Sequence, residues 1–194
     1  TFGGPDLAME TVSDVLGIPV PYYVYTDFEG FKSLIDAIGG IDFEVEKDMK
    51  YTDAADGHRY DIDLKKGFQH LDGEKALQYV RFRHDALSDF TRTERQRNFL
   101  EAVAEKLKSS GSVVRLPQIL DSVAPYIQTN LTAMDMLKLA TLAYQCDLKG
   151  LVSEQLPPND LLIGGHVGGA SVLRVDEDAL KQYVQSSFAD KPDM

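Results

Sequence analysis

The strict apolar–polar alternation of Ile41-Asp42-Phe43-Glu44-Val45, set directly behind a helical repeat, does most to restrict the fold. Side chains alternate between the two faces of a strand, so this run predicts a half-buried strand with Ile41, Phe43 and Val45 inward. Residues 28, 31, 34, 35 and 38 before it are apolar at helical spacing, and Gly39-Gly40 ends that helix. Pro5 to Leu16 has a similar repeat stopped by Gly17, and the β-rich Tyr22-Tyr23-Val24-Tyr25 separates the two helices. Helices and strands taking turns in this way point to an α/β domain built in layers.

Residues 47 to 70 are polar and carry turn signals at Asp48, Asp53, Asp56-Gly57 and Lys66-Gly67, which predicts a hairpin or excursion. Asp72 caps a short helix through Ala76 and Leu77, after which the chain is expected to become extended. Thr91 to Lys108 forms a long amphipathic helix, broken at Gly111-Ser112. A further helix is expected over Leu116 to Val123, starting after Pro117. Thr132 to Tyr144 is helical, with Thr132 at the cap and Asp135 three residues on. The last third offers a strand at Leu161-Leu162-Ile163, a glycine-rich turn at Gly164-Gly165 and Gly168-Gly169, and a closing helix from Asp176 to Phe188. No repeat, low-complexity tract or linker interrupts the chain, which reads as a single domain, 1–194.

The 194 residues are 43% hydrophobic and 26% charged, enough to bury a proper core. A formal net charge of -11 speaks against nucleic acid as a partner, since a phosphate backbone needs a broad basic surface. One cysteine, Cys146, excludes an internal disulfide. No apolar run approaches the roughly 20 residues needed to span a bilayer. No signal peptide is visible, and the chain opens at Thr1 inside a structured segment, as a processed or excised fragment would.

Against that acidic background, Arg81, Arg83, Arg92 and Arg95 fall within fifteen residues, together with His84, Asp85, Asp89 and Gln96. Guanidinium groups present fixed forks of donors that match phosphate oxygens two at a time. If Tyr79 to Arg83 is extended, Arg81 and Arg83 share one face about 7 Å apart and reach neighbouring phosphates of one diphosphate. If the helix instead runs on, the two lie about 200° apart and the joint site fails. Arg92, Gln96, Phe99, Val103 and Leu107 form one stripe on the long helix, so Arg92 and Gln96 continue a buried face at its N-terminus. Orphan backbone N–H groups favour an anion there, and a buried arginine requires a negative partner. Asp89, just before the helix, serves either as an N-terminal carboxylate or as that partner. Arg95 and Arg97 point away from the stripe and are expected in solvent. The bland alternative is that the arginines make structural salt bridges with the surplus of acids.

Other candidates carry less. Asp48 and Asp53 have metal-compatible side chains, but acids in turns are usually solvated. His58, His70 and His166 lack ligand spacing and read as surface residues. His84 sits beside the arginines in a structural role, and Cys146 reads as a small core residue. Gly164-Gly165 with Gly168-Gly169 does not follow a phosphate-loop pattern. Asn130-Leu131-Thr132 matches a glycosylation acceptor only as such tripeptides arise by chance.

The ordered motifs Phe2-Gly3-Gly4-Pro5, Tyr23-Val24, Phe28-Glu29-Gly30-Phe31, Ile35-Asp36-Ala37-Ile38-Gly39-Gly40-Ile41 and Leu71-Asp72-Gly73 lead to Tyr79-Val80-Arg81-Phe82-Arg83 and Asp89 with Arg92, Arg95 and Gln96. Taken together they resemble the LytR-CpsA-Psr family of bacterial cell-envelope proteins. The resemblance is strongest at the arginines and fades beyond about Leu107.

That resemblance implies a three-layer α/β/α fold with a central mixed sheet and a hydrophobic pocket for a polyprenyl chain. It implies a phosphotransferase that attaches polyprenyl-diphosphate-linked anionic glycopolymers, teichoic acid or capsular polysaccharide, to peptidoglycan. Arg81, Arg83 and Arg92 would clamp the lipid diphosphate, Gln96 would assist, and Asp89 with Arg92 would act catalytically, Asp89 as base or orienting carboxylate. Mg²⁺ would be the cofactor, with its ligands mainly in a preceding segment that this chain lacks. The family likeness also implies an extracytoplasmic protein held to the membrane by an anchor absent here. A non-catalytic polyprenyl-diphosphate-binding module is the alternative. A regulator, the transcriptional attenuator of the family's older label, is opposed by the acidic charge and the lack of a basic recognition helix.

Overall fold

The computed structural model describes residues 3–54, 57–83, 88–109, 112–145 and 155–188. In chain order the elements are α1 (Gly4–Leu16), β1 (Val24–Thr26), α2 (Phe28–Ala37), β2 (Ile41–Val45), β3 (Met49–Tyr51), β4 (Ile62–Leu64), β5 (Gly67–Leu71), α3 (Gly73–Arg81), α4 (Ser88–Ser109) and α5 (Ser112–Val123). A 3-10 turn at Ala124–Tyr126 leads to β6 (Ile127–Thr129), α6 (Ala133–Gln145), β7 (Leu162–Val167), β8 (Ala170–Val175) and α7 (Glu177–Phe188). The α/β class read from the sequence holds. Among the described residues the strands pair two by two: β1 with β6, and β2 with β5, β3 with β4 and β7 with β8 antiparallel.

Two compact units are built from interleaved stretches of chain. One takes Thr1–Tyr23, Thr129–Met134 and Val152–Met194, the other Val24–Gln128 and Asp135–Leu151. Because one unit interrupts the other in sequence, no linker betrays the division.

In the larger unit, the core gathers Ile35, Ile38, Ile41, Val45, Met49, Leu71, Ala76, Tyr79, Phe82, Phe99 and Val103. The alternation in β2 comes out as expected, with Ile41 and Val45 buried and Asp42 and Glu44 exposed. At the centre Phe99 is fully buried and meets Phe43 at 5.5 Å, Tyr79 at 5.8 Å and Phe31 at 6.1 Å between ring centroids. Asp27 caps α2 by accepting from Gly30 N–H at 2.8 Å, and Asp72 caps α3 from Lys75 N–H at 2.9 Å. Gly73 lets α3 press onto α2: a Cβ there would stand 2.8 Å from Lys32 Cα, while Gly73 N–H donates to Asp36 Oδ1 at 2.8 Å.

Three expectations change. The chain does not become extended after Leu77, because α3 continues to Arg81. Ala76, Tyr79 and Val80 recur at helical spacing, with Ala76 and Tyr79 buried, so packing carries the helix on. The helix α5 begins at Ser112, with Pro117 inside it. Proline forfeits one intrahelical bond there, and burial of Ile119 and Val123 offsets the loss. Gly164-Gly165 lies within β7, and the turn is Gly168-Gly169 alone, with φ of 58° and 83°. Positive φ at both central residues suits a two-residue hairpin that matches strand twist.

In the smaller unit, α7 buries Leu180 and Val184 completely. Asn130 ties this unit's segments together: its Nδ2 donates to Pro21 O at 2.8 Å and its Oδ1 accepts from Tyr23 N–H at 3.1 Å. That structural use explains why an asparagine stands in the glycosylation-like tripeptide.

Candidate functional site

The larger unit carries an open cleft of about 500 Å³ lined by Thr26, Asp27, Phe28, Phe31, Leu77, Val80, Arg81, Arg83, Arg92 and Gln96. All four residues expected to bind a diphosphate therefore meet in one place. Neither backbone alternative foreseen from the sequence is the one observed. Arg81 is the last residue of α3, Phe82 turns out of the helix with φ -60° and ψ 129°, and Arg83 follows. The helix ends between the two arginines, so they need not lie on opposite sides of a continuing helix.

Arg81 is half-buried and pre-oriented. Its guanidinium lies 4.5 Å from the Tyr60 ring centroid and 5.3 Å from that of Phe28, and Nη1 donates to Tyr60 O at 3.3 Å. Phe28 and Tyr60 meet edge to face at 5.6 Å. Contact with two rings and the bond to Tyr60 O restrain the guanidinium, whose planar fork engages phosphate bidentately. Sequence spacing gave no sign of this seat, because Phe28 and Tyr60 lie far from Arg81 and from each other.

Arg83 is exposed, and Arg92 and Gln96 are half-buried at the N-terminal end of the α4 stripe, whose lower part, Phe99 and Val103, is core as expected. Gln96 Nε2 donates to Val80 O at 3.1 Å, tying α4 to the last turn of α3. Asp89 lies in the first turn of α4, one step further into the helix than expected, and its side chain falls outside the described residues. His84, Asp85, Asp56 and Cys146 also lie outside them.

The expectation that Arg95 sits in solvent is overturned. It is 4% exposed, donates from Nε to Glu46 Oε1 at 2.9 Å and from Nη1 to Phe82 O at 2.8 Å. It lies off the stripe, but the neighbouring face of α4 meets the end of β2, where Glu46 supplies the counter-charge. Tyr79 donates its hydroxyl to Glu46 Oε2 at 3.1 Å. Burial pushes the Glu46 carboxyl up, but the hydrogen bonds from Arg95 and Tyr79 outweigh it and leave the pKa below the ordinary value. Burial, with the Glu46 charge beside it, drives the Tyr79 phenol far above its ordinary range, so it stays a donor. Arg97 is half-buried, not fully in solvent.

A second cleft of about 390 Å³ lies beside this network, lined by Phe43, Glu44, Glu46, Lys47, Tyr79, Glu94, Arg95 and Asn98. His58 and His70 pair on the surface with Asp61 at 3.1 Å and Asp42 at 2.8 Å. Asp48 accepts from Lys66 N–H at 2.8 Å in a turn. Among the described residues no three His, Cys, Asp or Glu side chains gather as metal ligands.

The sequence profile of the LytR_cpsA_psr family matches residues 1–188. The chain belongs to that family. A LytR_cpsA_psr relative from Enterococcus faecalis, the polyisoprenyl-teichoic acid–peptidoglycan teichoic acid transferase TagU, is 37% identical over 185 residues, covering 95% of this chain and 57% of its own. Among solved structures, protein gbs0355 from Streptococcus agalactiae superposes with a TM-score of 0.80 at 28% identity, covering 97% of this chain and 64% of that one. The structure of TagT bound to LI-WTA gives 0.71 at 28% identity, over 97% and 69%. The chain spans about half the length of the curated LytR_cpsA_psr relatives it matches.

Proposed function

We propose that this chain carries the diphosphate-binding site of a phosphotransferase that moves an anionic glycopolymer, of the teichoic acid or capsular polysaccharide kind, from a polyprenyl diphosphate carrier to peptidoglycan. The single observation behind this reading is the meeting of Arg81, Arg83, Arg92 and Gln96 in one cleft. Family membership and the transferase names of the relatives support the reaction class.

In the proposed reaction a hydroxyl of the peptidoglycan acceptor attacks the phosphorus that bears the glycopolymer. A new phosphate ester forms, the bridging P–O bond breaks, and polyprenyl monophosphate leaves. The proton released by the hydroxyl passes to Asp89, proposed as the base, and from there to the leaving phosphate. Phosphoryl transfer depends on positioning and charge stabilisation. Arg81, held against the Phe28 and Tyr60 rings, with Arg83 and Arg92, would neutralise charge on the equatorial and leaving oxygens. Phe28, Phe31, Leu77 and Val80 line the same cleft and would receive the first isoprene units.

Mg²⁺ is proposed as an ion accompanying the diphosphate. Among the described residues, carboxylates do not cluster to hold one. Action at the outer face of the cell membrane belongs to the same proposal; among the described residues no helix is long and apolar enough to cross a membrane.

Calorimetric titration with a polyprenyl diphosphate, with and without Mg²⁺, tests the reading. The double variant Arg81→Ala, Arg83→Ala should bind about a hundredfold more weakly while remaining folded. Equal binding by the two proteins would sink the clamp. Tight binding without transfer to peptidoglycan fragments would leave a binding module.

A further inference from the structure

Two consecutive residues of α4 hold the backbone on either side of Arg81. Gln96 Nε2 donates to Val80 O at 3.1 Å and Arg95 Nη1 to Phe82 O at 2.8 Å. Val80 O is one of the carbonyls that a helix leaves unpaired at its C-terminus, and Phe82 O belongs to the one extended residue separating the two clamp arginines. Arg95 is itself immobilised. Its Nε is bonded to Glu46, its guanidinium lies 5.5 Å from the Phe82 centroid and 5.8 Å from that of Tyr79, and Tyr79 closes the circuit by donating to Glu46. Phe82 is 4% exposed, so its side chain is locked on the same side as Arg95. Arg95 does not line the diphosphate cleft; it lines the other one.

We infer that Arg95, seated by Glu46 and Tyr79, is a positioning residue for the diphosphate clamp, acting through the carbonyl of Phe82 to hold Arg81 and Arg83 towards one cleft. This rests on the proposed function, and it assigns to the second cleft the rear support of the first. A guanidinium is needed because it must serve Glu46 and Phe82 O from two different nitrogens. An ammonium in its place is a single point donor on a flexible stem. Loss of that hold frees Phe82 to leave its extended turn, and the two arginines then no longer present a joint fork.

The test compares the wild type with Arg95→Lys, Glu46→Gln and Arg81→Ala, Arg83→Ala. The probes are geranylgeranyl diphosphate and geranylgeranyl monophosphate, and each variant's fold is checked by circular dichroism. Arg95→Lys is expected to weaken diphosphate binding about tenfold and monophosphate binding by about twofold or less. A purely structural lesion would weaken both alike. Because Arg95 acts through the clamp, adding Arg95→Lys to the Arg81→Ala, Arg83→Ala background should bring no further loss of diphosphate preference. Full diphosphate preference in folded Arg95→Lys, or additivity with the clamp variants, would overturn the inference. If the wild type shows no diphosphate preference, it is the proposed function that fails. Amide exchange over residues 79 to 83 then decides: faster exchange in Arg95→Lys supports the hold on Phe82, and unchanged exchange refutes it. Should Arg95→Lys not fold, Glu46→Gln takes its place in each comparison, with the same directions expected.

Discussion

The two clefts beside α4 share a helix and differ in charge. Among the described residues, the cleft at the end of α3 is lined by Arg81, Arg83 and Arg92 and by the carboxylate of Asp27, which caps α2. The cleft beside β2 is lined by Glu44, Glu46 and Glu94 against Lys47 and Arg95. In the second, the cation and anion are supplied by the protein itself, and Arg95 is sealed against Glu46. In the first, arginine outnumbers carboxylate among the described lining residues, which suits an anionic ligand. Arginines a few residues apart thus divide into one buried in an ion pair and three that line an open cleft. What sets Arg95 apart is its burial against Glu46, the acid on the element it faces.

The sharpest way to break this contrast is Arg95→Met. It strips an exposed carboxylate and a buried carbonyl of their donor and should lower unfolding free energy by about 2 kcal/mol, mostly from the carbonyl, read by denaturant titration. Arg81→Ala with Arg83→Ala should cost about 1 kcal/mol of stability by the same method, from the ring contacts and the one hydrogen bond of Arg81, since Arg83 is exposed. A large destabilisation there would reassign those arginines to structure. Asp27→Asn separates capping from charge: asparagine still caps α2, while removal of one carboxylate from the cleft lining should tighten diphosphate binding about threefold, seen by calorimetry. The smallest effect is in pH. The Glu46 pKa is depressed in the folded state, so its contribution is fully present above the ordinary carboxylate value and is lost as pH falls through the lowered one. Glu46→Gln should flatten that acid limb, and an unchanged limb would mean the pair contributes nothing.

Much of this was legible because it is local. The β2 alternation, the Asp72 cap and the Phe99–Val103 part of the α4 stripe depend on neighbours within a few residues. The gathering of Arg81, Arg83, Arg92 and Gln96 was also readable as a chemical expectation. The length of α3 was not, because what extends it past Leu77 is Tyr79 packing on Phe43 and bonding Glu46, more than thirty residues earlier. The same holds for Arg95, whose partner lies 49 residues away. A stripe drawn on one helix says which face is core, and it is silent on what waits beside the other faces.

The close seat of Gly73 on α2 has a consequence for evolution and engineering. With its first residue pressed against Lys32 and its last bearing Arg81, α3 is a spacer whose length is counted in residues. Adding one residue between them would swing Arg81 by about 100° and advance it by about 1.5 Å, away from Phe28 and Tyr60. Exposed positions along this helix are therefore free to vary in kind but not in number, and the clamp is kept in phase by a length that no single side chain encodes.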